Sequence, residues 1–215
     1  MPKIAAMARS YQPGLLIVDR TVTGEYENYT TPEQQVPDKP LPFPWETCMT
    51  MGGSWSYVPG DQYKSTNELI HLLVKIVSRG GNFLLNIGPG PDGEWDPEAY
   101  KRLAEIGGWM KGNDQGIYAS RPMAPYSAGN IYYTQHKDGK SWYAYYLTND
   151  APQQLSGEIV LKNLAVPKGS KISLPAINTA LKWKLENGNT ILAIPDAVLK
   201  KLDTRFAILF KVQLP

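Results

Sequence analysis

Between residues 19 and 46 the chain carries Asp19-Arg20, Glu25, Glu27, Glu33 and, beside Trp45, Glu46. These side chains can move protons and hold hydroxyl groups. A positioned carboxyl serves as general acid or base, and an arginine fork grips oxygen atoms and sets a neighbouring carboxylate's charge. Each also has a plainer reading. Glutamates are mostly solvated surface residues, and Arg20 can simply pair with Asp19, Glu25 or Glu27.

The elements that would position them can be read along the chain. Leu15-Leu16-Ile17-Val18 is a short apolar run, which predicts a first buried strand over residues 15–18. Charged groups just past the end of such a strand are where α/β barrels keep their chemistry. The long loop 21–45 follows, and loops of that length in compact domains are functional or disordered. A second strand is expected over Glu46–Met51, broken by Gly52-Gly53 ahead of Ser54-Trp55-Ser56-Tyr57.

Ser65-Thr66-Asn67-Glu68 is a capping box. Leu69, Leu72, Leu73, Ile76 and Val77 then repeat on one helical face, with Gly80-Gly81 as the stop. Asn82 to Ile87 reads as a third buried strand, ending in Gly88-Pro89-Gly90-Pro91-Asp92-Gly93. That loop lacks the Gly-Lys-Ser/Thr ending of a phosphate cradle and reads as a rigid turn. Asp96-Pro97 opens another helix, expected to end near Gly112. Strand, strand, helix, strand, helix is the order of a parallel α/β sheet.

After residue 120 the pattern changes. Residues 131–134 and 141–147 flank Asp138-Gly139, a hairpin signal. Further strands are expected at 157–162, 171–174, 181–185, 190–194 and 205–212, with a turn at Asn187-Gly188. Many short strands with regular turns predict a β-sandwich, and the boundary falls between Ala119 and Pro125. The expected domains are therefore 1–119 and 120–215.

Composition narrows the field. The chain has 215 residues, 42% of them hydrophobic, and a net charge of +2. A packed core is feasible, and with no clustered Lys/Arg run nucleic acid is a poor partner. Cys48 is the only cysteine, so no internal disulfide can form; it reads as a small buried hydrophobe. His71 and His136 show no shared metal pattern. No apolar run spans a bilayer. Thirteen Tyr and six Trp serve core packing first, and secondarily suit sugar binding, since the apolar face of a pyranose lies well on an aromatic ring.

The stretches VDRTVTGEYENYTTPEQ, PWETCMTMGGSWSY and ELIHLLVKIVSRGGNFLLNIGPGPDG, in that order, resemble the α-L-fucosidases of glycoside hydrolase family twenty-nine over roughly residues 10–120. The resemblance implies the C-terminal part of a TIM-type (β/α) barrel followed by an antiparallel β-sandwich. It also implies part of a retaining hydrolase that releases terminal α-L-fucose from oligosaccharides or glycoconjugates. Such enzymes use two carboxyl groups about 5–5.5 Å apart, one as nucleophile and one as acid/base. The family's nucleophile is an aspartate in a Trp-x-Asp motif on an earlier barrel strand, and these 215 residues contain no such motif. A complete barrel of this kind needs eight strands and about 250 residues. The expectation is a C-terminal part that works with an N-terminal barrel half carrying the nucleophile.

By that resemblance Glu33, in Thr31-Pro32-Glu33, is the first choice for the acid/base and Glu46 its rival. Arg20 matches an arginine that touches fucose. Trp55 matches an aromatic that packs on the fucose methyl group, and Trp45 is a further candidate for substrate binding. Asp19, Tyr57 and Asn86 are weaker candidates. No cofactor is implied. A rival reading is a non-catalytic carbohydrate-binding or scaffold module. A third places sugar binding on Trp142, Tyr143, Tyr145 and Tyr146, where alternation would expose every second ring. An incomplete barrel leaves unpaired strand edges, so the expected partners are a fucosylated glycan and either a second copy or an N-terminal barrel fragment. The resemblance allows an extracytoplasmic compartment, while Met1-Pro2-Lys3-Ile4 lacks a signal-peptide pattern.

Overall fold

The computed structural model describes residues 2–20, 24–149 and 155–215. Pro2–Tyr11 forms a helix, α1, which the sequence reading did not foresee. Arg9 ties it to the following loop, donating to the Tyr26 carbonyl at 2.6 Å and to Asn28 Oδ1 at 2.9 Å.

Residues 15–18 are not the buried strand expected. Among the described residues their only ladder contact is a single parallel bridge, Val18 to Tyr29, and Leu16 is 69% exposed. An apolar run becomes a strand only when a neighbour satisfies its backbone on a continuous edge, and here the facing segment supplies one bridge.

The next elements follow the expected order. Strand β1 (Trp45–Thr50) and strand β2 (Gly81–Asn86) pair in parallel, Trp45 opposite Gly81 through Thr50 opposite Asn86. Helix α2 (Thr66–Ser78) is the crossover between them. The Ser65 side chain caps it by accepting from the Glu68 N–H at 3.0 Å. Its buried face is Leu69, Ile70, Val74, Ile76 and Val77, rotated from the expected stripe because the helix touches both β2 and the later antiparallel sheet. Strand β2 is only partly buried, with Leu84 49% exposed, whereas continuous burial was expected.

Helix α3 (Pro97–Ile117) is capped by Asp96 as foreseen but runs five residues past Gly112. The glycine is there for close approach rather than termination. A Cβ at Gly112 would lie 2.9 Å from Ala176 Cα, on a 3₁₀ turn (Pro175–Ile177) of the C-terminal region.

Among the described residues eight strands complete the fold: β3 (Ser120–Ala128), β4 (Ile131–His136), β5 (Ser141–Leu147), β6 (Glu158–Leu161), β7 (Lys171–Leu174), β8 (Thr179–Glu186), β9 (Asn189–Ala193) and β10 (Ala207–Gln213). A short helix, α4 (Asp196–Leu199), precedes the last. Strand β3 escaped the sequence reading because Pro122 and Pro125 argue against a ladder. It is an edge strand with its register shifted between Pro122 and Ser127, where prolines are tolerated.

The antiparallel β-domain expected after residue 120 is present, its strands hydrogen-bonded as a sheet in the order β3-β4-β5-β10-β7-β8-β9-β6. It curls on itself. Tyr133 on β4 donates to the Lys162 carbonyl just past β6 at 3.0 Å, joining opposite ends of that order. The enclosed core holds Tyr133, Leu161, Ile172, Leu192, Phe210 and Val212.

Strand β5 is covered on both faces. Trp142 and Tyr146 pack against the enclosed core, while Tyr143 and Tyr145 are buried under the helices with Ile70, Val74 and Trp109. The rings alternate as expected, Tyr143 and Tyr145 buried beneath α2 and α3 and Trp142 and Tyr146 partly exposed, although none stands fully open. Trp109 locks the two layers, donating from its indole to the Ala207 carbonyl at 2.7 Å.

Two outcomes follow from this packing. Gly112→Val should destabilise the fold by about 1–3 kcal/mol in denaturant titration, because backbone blocks the new side chain. Burial also raises the Tyr145 hydroxyl above its ordinary value. The folded form therefore stays protonated where the unfolded chain ionises, so this contribution is complete below about pH 10 and is lost as pH rises further. Tyr145→Phe should shift the alkaline unfolding midpoint upward, measured by circular dichroism.

Candidate active site

The long loop is held along β1 by backbone bonds. Thr30 donates to the Pro44 carbonyl at 3.1 Å, Glu46 to the Thr30 carbonyl at 2.9 Å, and Gln34 to the Cys48 carbonyl at 3.0 Å. Asp19 supplies the other tie. Its Oδ1 accepts from both the N–H and the hydroxyl of Thr31, each at 2.8 Å. These bonds bring the segment that begins the loop against the segment that contains Glu33.

Arg20 and Glu33 meet there. Arg20 Nη1 lies 2.8 Å from Glu33 Oε2, and Nη2 donates to Cys48 Sγ at 2.8 Å. The guanidinium is raised above its ordinary value, chiefly by the Cys48 hydrogen bond and further by Glu33, so it stays charged. The pair's side chains are 44% and 49% exposed. An ion pair that open contributes at most about 1 kcal/mol, so its consequence is orientation rather than stability.

Arg20, Glu33 and Cys48 line a cavity of about 670 Å³ with Trp55, Asn86 and Trp95, floored by apolar residues of β2 and α3. Asn86 holds Trp55 in place, donating from its side chain to the Trp55 carbonyl at 2.8 Å. Gly88 lets the next loop close on that one, since a Cβ there would lie 2.5 Å from Tyr57 N. A charged fork, a carboxylate and an indole in one cavity suit a ligand with hydroxyl groups and an apolar flank.

The structure thus gathers Arg20, Glu33, Trp55 and Asn86. Asp19 sits behind the cavity as the tie to Thr31. Glu46 and Trp45 are not among the cavity-lining residues. Trp45 is buried on the opposite face of β1, with its indole donating to the Arg79 carbonyl at 3.2 Å and its ring against Gly81. Glu46 shares the parity of Cys48 on β1 but stands two residues nearer the strand's start. Tyr57 is at the surface beside the Gly88–Gly90 loop.

The sequence reading missed Cys48 and Trp95. Alternation from Glu46 was a signal for Cys48. Nothing in the local pattern marked Trp95, because the loop carrying it reads only as a turn.

Asp19→Ala removes the acceptor of two hydrogen bonds. A charged hydrogen bond contributes about 1.5–3 kcal/mol. Amide exchange at Thr31 should therefore accelerate roughly ten- to hundredfold, while Asp19→Asn, which keeps an acceptor oxygen, should exchange more slowly than Asp19→Ala.

Comparison with known proteins places this chain in a family. A sequence model described as alpha-L-fucosidase matches residues 1–115. The chain is 35% identical to an alpha-L-fucosidase of Dictyostelium discoideum over 70% of its own length and 36% of that protein's. It is 29% identical to human plasma alpha-L-fucosidase over 83% of its own length and 39% of that protein's. Among solved structures, alpha-L-fucosidase isoenzyme 1 from Paenibacillus thiaminolyticus matches with a TM-score of 0.84 at 27% identity, covering 99% of this chain and 53% of that one. The chain spans about two fifths of the length of these curated relatives. With that family model matching more than half of the chain and a relative 35% identical over 70% of it, the chain belongs to the alpha-L-fucosidase family.

Proposed function

We propose that this chain forms part of a retaining α-L-fucosidase acting on terminal α-L-fucose of oligosaccharides or glycoconjugates. Residues 1–119 would be the C-terminal portion of a TIM-type barrel and residues 120–215 a β-domain buttressing it. The observation that carries the proposal is the convergence of Arg20, Glu33 and Trp55 on one cavity. The parallel β1–α2–β2 unit followed by α3 supports the barrel reading, since strand–helix alternation with parallel pairing is how such barrels are built.

In this reading Glu33 is the acid/base. It protonates the glycosidic oxygen as the bond to the anomeric carbon breaks, then takes a proton from the water that resolves the intermediate. Arg20 orients the Glu33 carboxylate and donates to sugar hydroxyls. Trp55 walls the C6 methyl group, which separates a 6-deoxy sugar from one bearing a hydroxyl there. The cavity position favours Glu33 over Glu46, which stands closer to the start of β1. The nucleophilic aspartate would come from barrel strands outside these 215 residues, carried by an N-terminal barrel segment. The partly exposed face of β2 fits such a neighbour, or a second copy of the chain.

A second reading, a carbohydrate-binding or scaffold module, draws on the absence of a Trp-x-Asp motif from the sequence. Turnover separates the two. An aryl α-L-fucoside is incubated with the chain alone and with an N-terminal barrel fragment of a family member. The expected result is release of the aryl alcohol only in the mixture. Glu33→Gln should then lower the rate roughly 10²–10⁴-fold, and Glu46→Gln much less. No release in either arm would favour the binding module, and a larger loss at Glu46 would exchange the two roles.

A further inference from the structure

We infer that Trp95 is a stacking platform for the sugar unit that bears the fucose, a second subsite beside the one built around Arg20 and Glu33. The inference rests on the fucosidase reading above and extends it to the rest of the glycan.

The cavity contains two indoles, Trp55 and Trp95, and the 6-deoxy methyl of one fucose needs only one wall. Cavities of about 300–1,000 Å³ take ligands larger than a single sugar ring, and this one, at about 670 Å³, lies within that range.

Trp95 has the attributes of a preformed platform. It is 37% exposed, so it presents ring surface to solvent where a core anchor would be buried. It is backed by Tyr100, with ring centroids 5.5 Å apart and planes inclined at 46°. Tyr100 is itself fixed, its hydroxyl donating to Glu94 Oε2 at 2.6 Å. The loop beneath is stiffened by Gly90 donating to the Glu94 carbonyl at 2.7 Å and Gly93 to the Gly90 carbonyl at 2.9 Å. Asp96 then caps α3, accepting from the Glu98 N–H at 2.9 Å. A ring held this way loses little freedom when a sugar settles on it. The apolar face of a pyranose covers the indole.

The ligand class is therefore a fucosylated oligosaccharide whose penultimate unit is a pyranose with an open apolar face. The test is binding by the 215-residue chain itself. Indole N–H resonances are followed during titration with fucosyl-lactose and, separately, with L-fucose; Trp95→Phe assigns the Trp95 signal. The expected result is a Trp95 shift with fucosyl-lactose that L-fucose does not reproduce. Trp95→Ala should weaken fucosyl-lactose binding roughly two- to tenfold, with Trp95→Phe keeping most of the affinity. A Trp95 signal that ignores fucosyl-lactose, that responds equally to L-fucose, or a Trp95→Ala chain that binds like wild type would overturn the inference. Stacking is read by binding and hydrolysis by turnover, so either reading can fail without the other.

Discussion

Everything at the cavity depends on the segment around Thr30–Gln34 lying along β1. An exposed ion pair such as Arg20–Glu33 is too weak to pull two parts of a chain together. It forms because backbone hydrogen bonds from Thr30, Gln34 and Glu46, and the Asp19 tie to Thr31, have already brought the two segments close. The guanidinium then distributes its two arms between Glu33 and Cys48. Directional bonds of modest strength become decisive when they are several and share one frame.

That frame is carried by an interlocked base. Helices α2 and α3 bury one side against the parallel pair and another against the curled sheet, so the helical layer shares a core with β5 and β10. Glycines at the contact set the separation. Gly112 and Gly116 allow α3 to approach Ala176 and the Tyr145 ring at distances no side chain would permit. The loops at the C-terminal ends of β1 and β2 therefore project from a rigid support, and rigid support is what a site on loops requires.

The parallel pair itself is incompletely covered among the described residues. Two parallel strands with one face half-open leave apolar groups such as Leu84 exposed, and parallel sheets are ordinarily covered on both sides. Relatives of more than twice this length give that geometry a natural context. In the proposed reading, further parallel strands would pair with the edges of this sheet and close it into a barrel, whose packing would then cover the open face.

Much of this was legible in the order of residues. The Ser65 and Asp96 caps, the crossover helix between two strands, and the hairpin turns at Asp138-Gly139 and Asn187-Gly188 follow from local physics: side-chain oxygens that accept orphan N–H groups, and positive φ at Asn187 and Gly188. The motifs around Arg20, Glu33 and Trp55 carried the family resemblance for the same reason, being contiguous. What the order of residues could not decide was anything set by a distant neighbour. Leu15–Val18 has the composition of a strand but lacks a continuous partner edge. Gly112 looks like a helix stop and is a packing contact. Alternation puts Trp45 and Cys48 on opposite faces of one strand, but only the packing decides that the Cys48 face is the one that lines the cavity. Trp95 reaches the cavity only because two loops fold together. Local propensity determined where elements begin and turn; tertiary contacts alone decided which faces are covered and which side chains share a cavity, because burial and proximity belong to pairs of segments and not to either one.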